Sequence, residues 1–320
     1  MSGASRPDLG WRTEGRHPAS GCLDTGDTAE VVAAVLAADL QVFDAVQAVS
    51  AQVVAAAELM VAAVHAGGVV HYVGAGTSGR MGVLDAVELL PTYRVGPESV
   101  RAHLAGGLAA MTRAVEGAED DEAAGAAVVR GCAPGDVVVG IAASGRTPFV
   151  RGAVVAARAR GLATVLIAAV PDAALAGLVE VAILPDTGPE VVTGSTRMKA
   201  ATAQKLVLNA LSTATMVRLG KTYEGLMIDL VPTNAKLRAR SVRMLVQGSG
   251  RSEPECVRAL AAAQGEVRPA LVALVAGLCP EEAGSAGVRA AVAAYPPDPG
   301  RRGDPSGVRA AVARVLSGRS

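Results

Sequence analysis

The stretch "YVGAGTSGRMGVLDAVELLPTY", residues 72–93, runs from a strand-like segment through a glycine-rich loop into a second apolar segment. The loop has the spacing GxGxxG, which is typical of dinucleotide-binding folds when it joins a strand to a helix. Such folds also need an acidic residue at the end of the second strand, about 20 positions later, to bind the ribose hydroxyls. Glu98 stands at about that distance, but it precedes the second strand-like run, "SVRAHLAG". The sequence therefore argues against a dinucleotide.

The same loop offers a different set of ligand-binding groups at the point where a helix begins. Thr77 and Ser78 supply two hydroxyls between Gly76 and Gly79. Backbone N–H groups and the helix dipole at a helix N-terminus attract the same kind of ligand, an anion. The loop therefore favours a phosphate monoester over a pyrophosphate.

The segment "DVVVGIAASGRTPFVRGAVVAARARG", residues 136–161, repeats this order of strand, hydroxyl-bearing turn and helix. Its turn consists of Ser144, Gly145, Arg146 and Thr147. Pro148 then stands at a favoured first position of the next helix. A third turn, in "VVTGSTRMK", presents Thr193, Ser195 and Thr196.

Each of these turns, taken singly, has a simpler explanation, because Ser and Thr are the usual N-cap residues of helices. Two such turns at the carboxyl ends of parallel strands favour a ligand, since open α/β sheets bind ligands at that edge. We therefore predict a phosphosugar-sized site. Its candidate binding residues are Gly76, Thr77, Ser78, Gly79, Ser144, Gly145, Arg146, Thr147, Ser195 and Thr196.

Short β-branched runs alternate with helical stretches in the middle of the chain. This alternation is typical of a parallel sheet with helices on both faces, a three-layer α/β/α fold. The predicted strands are residues 69–73, 99–104, 136–142, 163–169 and 179–184.

The segments on either side of these strands have helical patterns. Residues 28–66 lack Gly and Pro and repeat apolar residues every three or four positions, which predicts one or two amphipathic helices. Residues 195–220 predict one long helix closed by Gly220, and residues 232–278 are also helical in pattern. The Pro-, Gly- and Arg-rich run at 295–307 predicts a mobile tail.

The composition excludes several classes of protein. Thirty basic residues balance thirty acidic ones without a long block of either sign, so a nucleic-acid partner is not expected. No apolar run reaches the roughly 18 residues that cross a bilayer without a Gly or a charge, so no membrane partner is expected. The cysteines are far apart and form no CxxC pair, which indicates free thiols in a reducing cytoplasm: Cys22, Cys132, Cys256 and Cys279.

Five segments occur in the order of a known family: "TEGRHPAS", "VGAGTSGRMGVLDAVELLPTY", "AVEGAEDDEAAG", "GIAASGRTPFV" and "VVTGSTRMKAATAQKLVLNALSTATMVRLGKTYEGLMIDL". Together they resemble the N-acetylmuramic acid 6-phosphate etherases, members of the sugar isomerase (SIS) domain superfamily. The similarity runs from about Leu9 to about residue 280. It implies a SIS fold, a homodimer, and cleavage of the lactyl ether of N-acetylmuramic acid 6-phosphate to N-acetylglucosamine 6-phosphate and D-lactate.

With this resemblance, the chain divides into four expected parts. Residues 1–55 form an N-terminal segment with helices, and 56–222 form a SIS domain with a five-stranded parallel sheet. Residues 223–285 form a helical C-terminal region, and 286–320 form the mobile tail.

The chemistry requires only one base and one acid. An open-chain sugar aldehyde makes the hydrogen at C2 acidic and places the C3 oxygen β to the carbonyl, so lactate can be eliminated and water added. No cofactor is expected, and the histidines show no metal-ligand spacing: His17, His65, His71 and His103.

The resemblance assigns the two proton-transfer roles to glutamates. The family's catalytic segments match "LDAVE" and "EGAED", so Glu88 is the acid that protonates lactate and Glu119 is the base at C2. From the residues alone, Glu88 is either a buried acid between Val87 and Leu89 or a surface residue at a helix end. From the residues alone, Glu119 is interpreted as part of an acidic helix N-terminus.

The position of Glu88 restricts its use. It lies about nine residues after the start of the helix, roughly 13 Å along the axis at 1.5 Å per residue, so it could not contact a phosphate bound at that start unless the helix ended early. Pro91 makes an early helix end plausible, and the alternative is that Glu88 serves the site of a partner subunit. The chain also departs from the usual family residues at Val87, Leu89, Leu90, His17 and Ala201, so three of the departures flank the proposed acid.

Two other functions fit the same fold. One is a sugar-phosphate-binding regulator without turnover, and the other is an aldose-ketose isomerase. Both glutamates favour the lyase over the regulator, because binding alone requires neither of them.

Overall fold

A computed structural model describes residues 12–230, 232 and 234–318. The chain divides into two compact units, each described below by itself. The first consists of Met1–Ala86 with Ser99–Ser212, and the second of Val87–Glu98 with Thr213–Ser320.

The first unit is built on a five-stranded sheet in the order β2-β1-β3-β4-β5. All neighbouring strands are parallel. The strands are β1 (Val70–Gly74), β2 (Val100–Leu104), β3 (Val137–Ile141), β4 (Ala163–Ile167) and β5 (Val181–Ile183). Valine and isoleucine fill the central strands because both faces are covered. The predicted sheet is confirmed, and its order changes direction between β1 and β3.

Helices cover both faces of this sheet, which confirms the three-layer arrangement. On one face, α2 contacts β1, β3 and β5, and on the other α5 contacts β1, β3 and β4. Asp27 begins the first helix with a capping box, in which its side chain and that of Glu30 each accept the other's backbone N–H. The helices that lie in this unit or begin in it are α1 (Thr28–Ala48), α2 (Ser50–His65), α3 (Gly76–Tyr93), α4 (Glu122–Val128), α5 (Pro148–Ala159) and α6 (Lys199–Arg218).

The second unit is helical apart from a short antiparallel pair, β6 (Thr222–Tyr223) and β7 (Leu226–Met227). Its helices form one apolar core around Leu245, Leu271 and Leu274, all of which are buried. They are α7 (Ala235–Ser249), α8 (Glu253–Ala262), α9 (Val267–Val275), α10 (Ala286–Ala294) and α11 (Val308–Ser317).

The segment that was expected to form a mobile tail is packed into this core. Val308 and Ala311 of α11 are each 1% exposed and belong to the same cluster as Leu271. The Asp304 side chain accepts hydrogen bonds from the Ala310 N–H and the Ser306 hydroxyl, which satisfies the turn before the helix. The Pro- and Gly-rich composition therefore marks ordered turns here, because the helix that follows the run is packed into the core.

Within the described ranges, no single helix is long and apolar enough to cross a membrane. The pair α1 and α2 passes the same test of length and composition only when taken together, and it is bent by 61°. Cys132, Cys256 and Cys279 are free thiols, and the side chain of Cys22 lies outside the described part.

Candidate functional site

The loop between β1 and α3 brings a helix N-terminus unusually close to a strand. A Cβ on Gly79 would lie 2.5 Å from the Gly74 carbonyl oxygen and 2.5 Å from Leu104 Cδ1. Gly76 begins α3 with φ of +52°, a left-handed conformation that favours glycine. The glycines of the motif are therefore explained by close approach and backbone conformation, and the first turn of α3 presents Thr77 and Ser78.

The loop between β3 and α5 ends at Thr147, the N-cap residue of the helix. Its side chain makes no capping hydrogen bond, and Pro148 occupies the first turn as predicted. Gly145 has φ of +63°, and a Cβ there would lie 2.3 Å from the Ala173 Cβ. The simple explanation of a capped helix thus fails at Thr147, because its hydroxyl is not used for capping.

The sheet brings these two loops together. Strands β1 and β3 are neighbours, and their last residues, Gly74 and Ile141, are paired in register. Adjacent strands lie about 4.8 Å apart, so the turns carrying Ser78 and Ser144 leave the same edge side by side. Among the described residues, the structure records no hydrogen bond for the hydroxyls of Ser78, Ser144 and Thr147.

The third turn, with Ser195 and Thr196, stands apart from these two. It follows β5, the edge strand, which is separated from β3 by β4. The helix that was expected to begin at residue 195 begins at Lys199. Its first N–H groups are bound by Glu190, whose carboxylate accepts from Lys199 N at 3.0 Å and Ala200 N at 3.1 Å. The hydroxyls of this turn therefore do not cap α6.

Glu190 and Lys199 are two buried charged residues that the sequence did not single out. Each is 1% exposed. Burial raises the pKa of Glu190 and lowers that of Lys199, although each charge opposes the shift of the other. Within the described part of the chain, Lys199 Nζ is buried without a hydrogen-bond partner.

A cavity of about 300 Å³ opens beside the first loop, at the carboxyl ends of β1 and β2. Glu119 lines it and is exposed to solvent. Sequence reasoning missed two further charged residues there, Arg80 and Glu116; the signal for Arg80 is its position one helical turn after Gly76. The lining residues are Ala75, Gly76, Thr77, Arg80, Ala105, Ala110, Ala114, Val115, Glu116, Gly117, Ala118 and Glu119.

Glu88 lies on α3 and is exposed. Of the two alternatives for Glu88, the early helix end at Pro91 does not occur, because α3 continues to Tyr93 and contains Pro91. The helix continues past the proline through two further hydrogen bonds: the Thr92 hydroxyl donates to the Glu88 carbonyl, and Arg94 N donates to the Leu90 carbonyl. Glu88 is therefore not a buried acid within this chain.

A second group of titratable residues lies near the amino ends of β1 and β3. His71 Nε2 is 3.1 Å from Asp136 Oδ2, and His71 Nδ1 is 2.9 Å from His103 Nε2. Asp136 also accepts hydrogen bonds from Val69 N and Ala133 N.

Ligand atoms of His71, Cys132 and Asp136 lie within 4.8 Å of one another, so these residues have the chemistry to hold a metal ion. No spacing in the sequence indicates this group, because its members come together only where β1 and β3 lie side by side. However, the imidazole of His71 is hydrogen-bonded through both nitrogens, and both oxygens of Asp136 already accept hydrogen bonds. The arrangement is that of a structural network.

Burial shapes the charge of this network. It lowers the pKa of His71, although Asp136 acts in the opposite direction. It also lowers the pKa of His103 to about 4, with the neighbouring His71 and Arg101 adding to the shift. Burial acts to raise the pKa of Asp136, but hydrogen bonds from Ala133 and Val69 hold it below its ordinary value.

Comparison with known proteins agrees with this architecture. The family described as Glucokinase regulatory protein N-terminal SIS domain matches residues 52–158. The N-acetylmuramic acid 6-phosphate etherase of Symbiobacterium thermophilum is 52% identical over 267 residues, which are 83% of this chain and 89% of the relative. The etherase of Thermobifida fusca is 48% identical over 82% of this chain and 86% of its own length.

This chain belongs to the N-acetylmuramic acid 6-phosphate etherase family. A third member, from Serratia proteamaculans, is 47% identical over 85% of the chain and 92% of the relative. Among solved structures, a putative phosphosugar isomerase involved in capsule formation from Bacteroides fragilis is similar, with 22% identity and a TM-score of 0.46, over 60% of this chain and 91% of that one. The family membership rests on the etherases, and it confirms the resemblance seen in the five sequence segments.

Proposed function

We propose that this chain cleaves the D-lactyl ether of N-acetylmuramic acid 6-phosphate, giving N-acetylglucosamine 6-phosphate and D-lactate. The observation that carries this assignment is the cavity beside the β1–α3 loop, in which a family glutamate, Glu119, lies next to a helix N-terminus. The high identity to etherases over most of the chain supports the same reaction.

The phosphate binds at the two neighbouring loops. Ser78, Ser144 and Thr147 supply hydroxyls, and the first turns of α3 and α5 supply backbone N–H groups. Gly76, Thr77, Gly79, Gly145 and Arg146 complete this subsite, and Ser195 with Thr196 contact the sugar from the third turn.

The two glutamates transfer the protons. Glu119 removes the hydrogen at C2 of the open-chain sugar, and Glu88 protonates the C3 oxygen as lactate leaves. Water then adds to the resulting double bond. Because Glu88 is exposed on an unbroken helix, we assign it to the site of a partner subunit.

A homodimer follows from this assignment, and α1 offers an apolar face for it. Val32, Leu36, Leu40 and Phe43 recur every three or four residues, and each is at least half exposed, at 52, 62, 72 and 62%. Such a stripe on a helix is typical of a covered surface.

The double variant Leu36→Glu with Leu40→Glu should be monomeric in light scattering. The control variant Gln41→Glu, on the opposite face of the helix, should stay dimeric. A dimeric double variant would contradict this interface.

The reaction takes place in the cytoplasm, where the free thiols of Cys132, Cys256 and Cys279 stay reduced.

The decisive experiment incubates the purified chain with N-acetylmuramic acid 6-phosphate and measures D-lactate enzymatically. Stoichiometric D-lactate supports the lyase. Tight binding without lactate would indicate a regulator instead, and a ketose product would indicate an isomerase.

A further inference from the structure

Arg80 is the one cationic side chain lining the 300 Å³ cavity, as far as the described residues show. It lies one helical turn after Gly76 and three residues after Thr77, so all three occupy the same face of α3. This face opens toward the cavity, which Gly76, Thr77 and Arg80 all line. The guanidinium and the proposed phosphate loop are therefore neighbours without being the same subsite.

The guanidinium is held in place at one nitrogen. Arg80 Nε donates a 2.9 Å hydrogen bond to the carbonyl oxygen of Ala110, a residue that is only 4% exposed. This bond fixes the plane of the group. Within the described part of the chain, no hydrogen bond or ion pair engages its two terminal nitrogens.

The neighbouring carboxylates do not neutralise this cation directly. Glu116 and Glu119 line the same cavity and are exposed, but neither forms an ion pair with Arg80 in the described structure. Two parallel N–H groups on an anchored guanidinium match a carboxylate of a ligand in bidentate geometry. Ala105, Ala110 and Val115 add an apolar wall beside it.

We propose that Arg80 binds the carboxylate of the lactyl group and so selects the ether substrate, an inference that rests on the proposed function. The substrate carries two anionic groups, the phosphate at C6 and the lactyl carboxylate attached through the C3 oxygen. Glu119, which acts at C2, lines the cavity with Arg80. C2 and the lactyl group are separated only by C3 and its oxygen, so the anion nearest to Glu119 is the carboxylate.

The product provides the comparison that tests this role, because N-acetylglucosamine 6-phosphate keeps the phosphate and lacks the lactyl group. For Arg80→Gln we expect KM for N-acetylmuramic acid 6-phosphate to rise about 10- to 100-fold, the effect of losing a hydrogen bond to a charged group. The inhibition constant of N-acetylglucosamine 6-phosphate should change less than about threefold. Arg80→Lys, which keeps the charge without the planar fork, should recover only part of the loss.

Arg113→Gln is the matched control, because Arg113 is an exposed arginine in the segment that forms the other wall of the cavity and does not itself line it. It should change neither constant. Equal weakening of substrate and product in Arg80→Gln would place Arg80 at the phosphate and overturn the proposal. Unchanged constants for both would overturn it as well.

A measurement on the unaltered chain covers the case in which Arg80 variants do not fold. The methyl ester of the lactyl carboxylate keeps the shape of the substrate and removes its negative charge. It should bind about 10- to 100-fold more weakly than the free acid. Equal binding of ester and acid would contradict the proposal, whereas a chain that releases no D-lactate at all would contradict the proposed function instead.

Discussion

The two ends of β1 and β3 carry polar groups of opposite character. At the carboxyl ends, the hydroxyls of Ser144 and Thr147 and the terminal nitrogens of Arg80 have no recorded partner among the described residues. Toward the amino ends, His71 and Asp136 are 2% and 3% exposed and bind each other. Unused hydrogen-bonding groups beside a cavity indicate a ligand site, whereas a saturated buried network indicates a structural role.

The largest expected effect is at the carboxyl edge. Glu119→Gln and Glu88→Gln should each lower kcat about 10²- to 10⁴-fold, because each removes a proton-transfer group. Both residues are exposed, so the free energy of unfolding should stay within about 0.5 kcal/mol. D-lactate release measures the first effect, and urea titration measures the second.

Deuterium exchange at C2 separates the two roles. Glu88→Gln should block lactate release and still exchange the C2 hydrogen with solvent, whereas Glu119→Gln should lose both. Mixing the two variants tests the partner-subunit assignment, because a mixed dimer would regain one complete site. The reverse exchange behaviour would swap the roles, and full lactate release in both variants would exclude both glutamates.

A substitution near the amino ends of β1 and β3 should have the opposite effect: it should lower the stability of the fold and leave the catalytic activity of the folded chain unchanged. Asp136→Ala should lower the free energy of unfolding by about 3–5 kcal/mol, because it leaves a buried partner and two backbone N–H groups uncompensated. Asp121→Ala, which removes an exposed cap from the Ala124 N–H, should cost only about 1 kcal/mol.

The folded fraction of Asp136→Ala should retain the KM of the original chain at low temperature. Treating the unaltered chain with a chelator tests the same region in a second way. If EDTA lowered the stability of the chain as much as Asp136→Ala does, His71, Cys132 and Asp136 would be metal ligands. The contrast between the two ends of the strands would then fail.

A smaller effect is expected at the two loops proposed to bind the phosphate. Ser144→Ala or Thr147→Ala should weaken binding of N-acetylglucosamine 6-phosphate by about 1.5–3 kcal/mol, the loss of a charge-assisted hydrogen bond. Thermal stability should not fall in Thr147→Ala, because that side chain caps nothing. Calorimetric titration measures the affinity, Thr28→Ala at the exposed start of α1 is the control, and unchanged affinity in both loop variants would refute the phosphate placement.

The last prediction concerns pH. His103 has a pKa lowered from 6.5 to about 4, chiefly by burial, so the unfolded chain binds a proton between those values that the folded chain does not. Stability should therefore fall as pH drops from 6.5 toward 4 and be independent of this group above 6.5. His103→Asn should flatten that part of the profile in urea titrations at several pH values, and an unchanged slope would contradict the assignment.

The fold was largely predictable because its signals are local. Each of the five strands lies within one or two residues of its predicted bounds, since β-branched runs between helical patterns mark buried parallel strands. Residues 28–66 likewise form two helices, as the period of their apolar residues predicts. The predicted start of α6 was less accurate. The first N–H groups of this helix are capped by the carboxylate of Glu190, which precedes the turn that was expected to begin the helix.

The candidate site was predicted only in part. The hydroxyls of the first two turns follow from short motifs and come together because β1 and β3 are neighbours. The position of Arg80 one helical turn after Gly76 places it on the same face of α3 as the loop. The cavity itself was not predicted, since its other wall comes from residues 105–119. The unbroken course of α3 past Pro91 also escaped the sequence, because hydrogen bonds from Thr92 and Arg94 sustain the helix beyond the proline.

The sequence by itself determined the order of strands and helices, the two hydroxyl-bearing loops and the family of the chain, because these depend on neighbouring residues and on turn chemistry. Tertiary structure decided which polar groups are buried and which remain open. His71 and Asp136 are 65 positions apart and meet only through strand pairing. The C-terminal run of prolines and glycines is ordered only because Val308 and Ala311 enter the core of the second unit. Burial depends on contacts between distant residues, and the pattern of nearby residues does not encode those contacts.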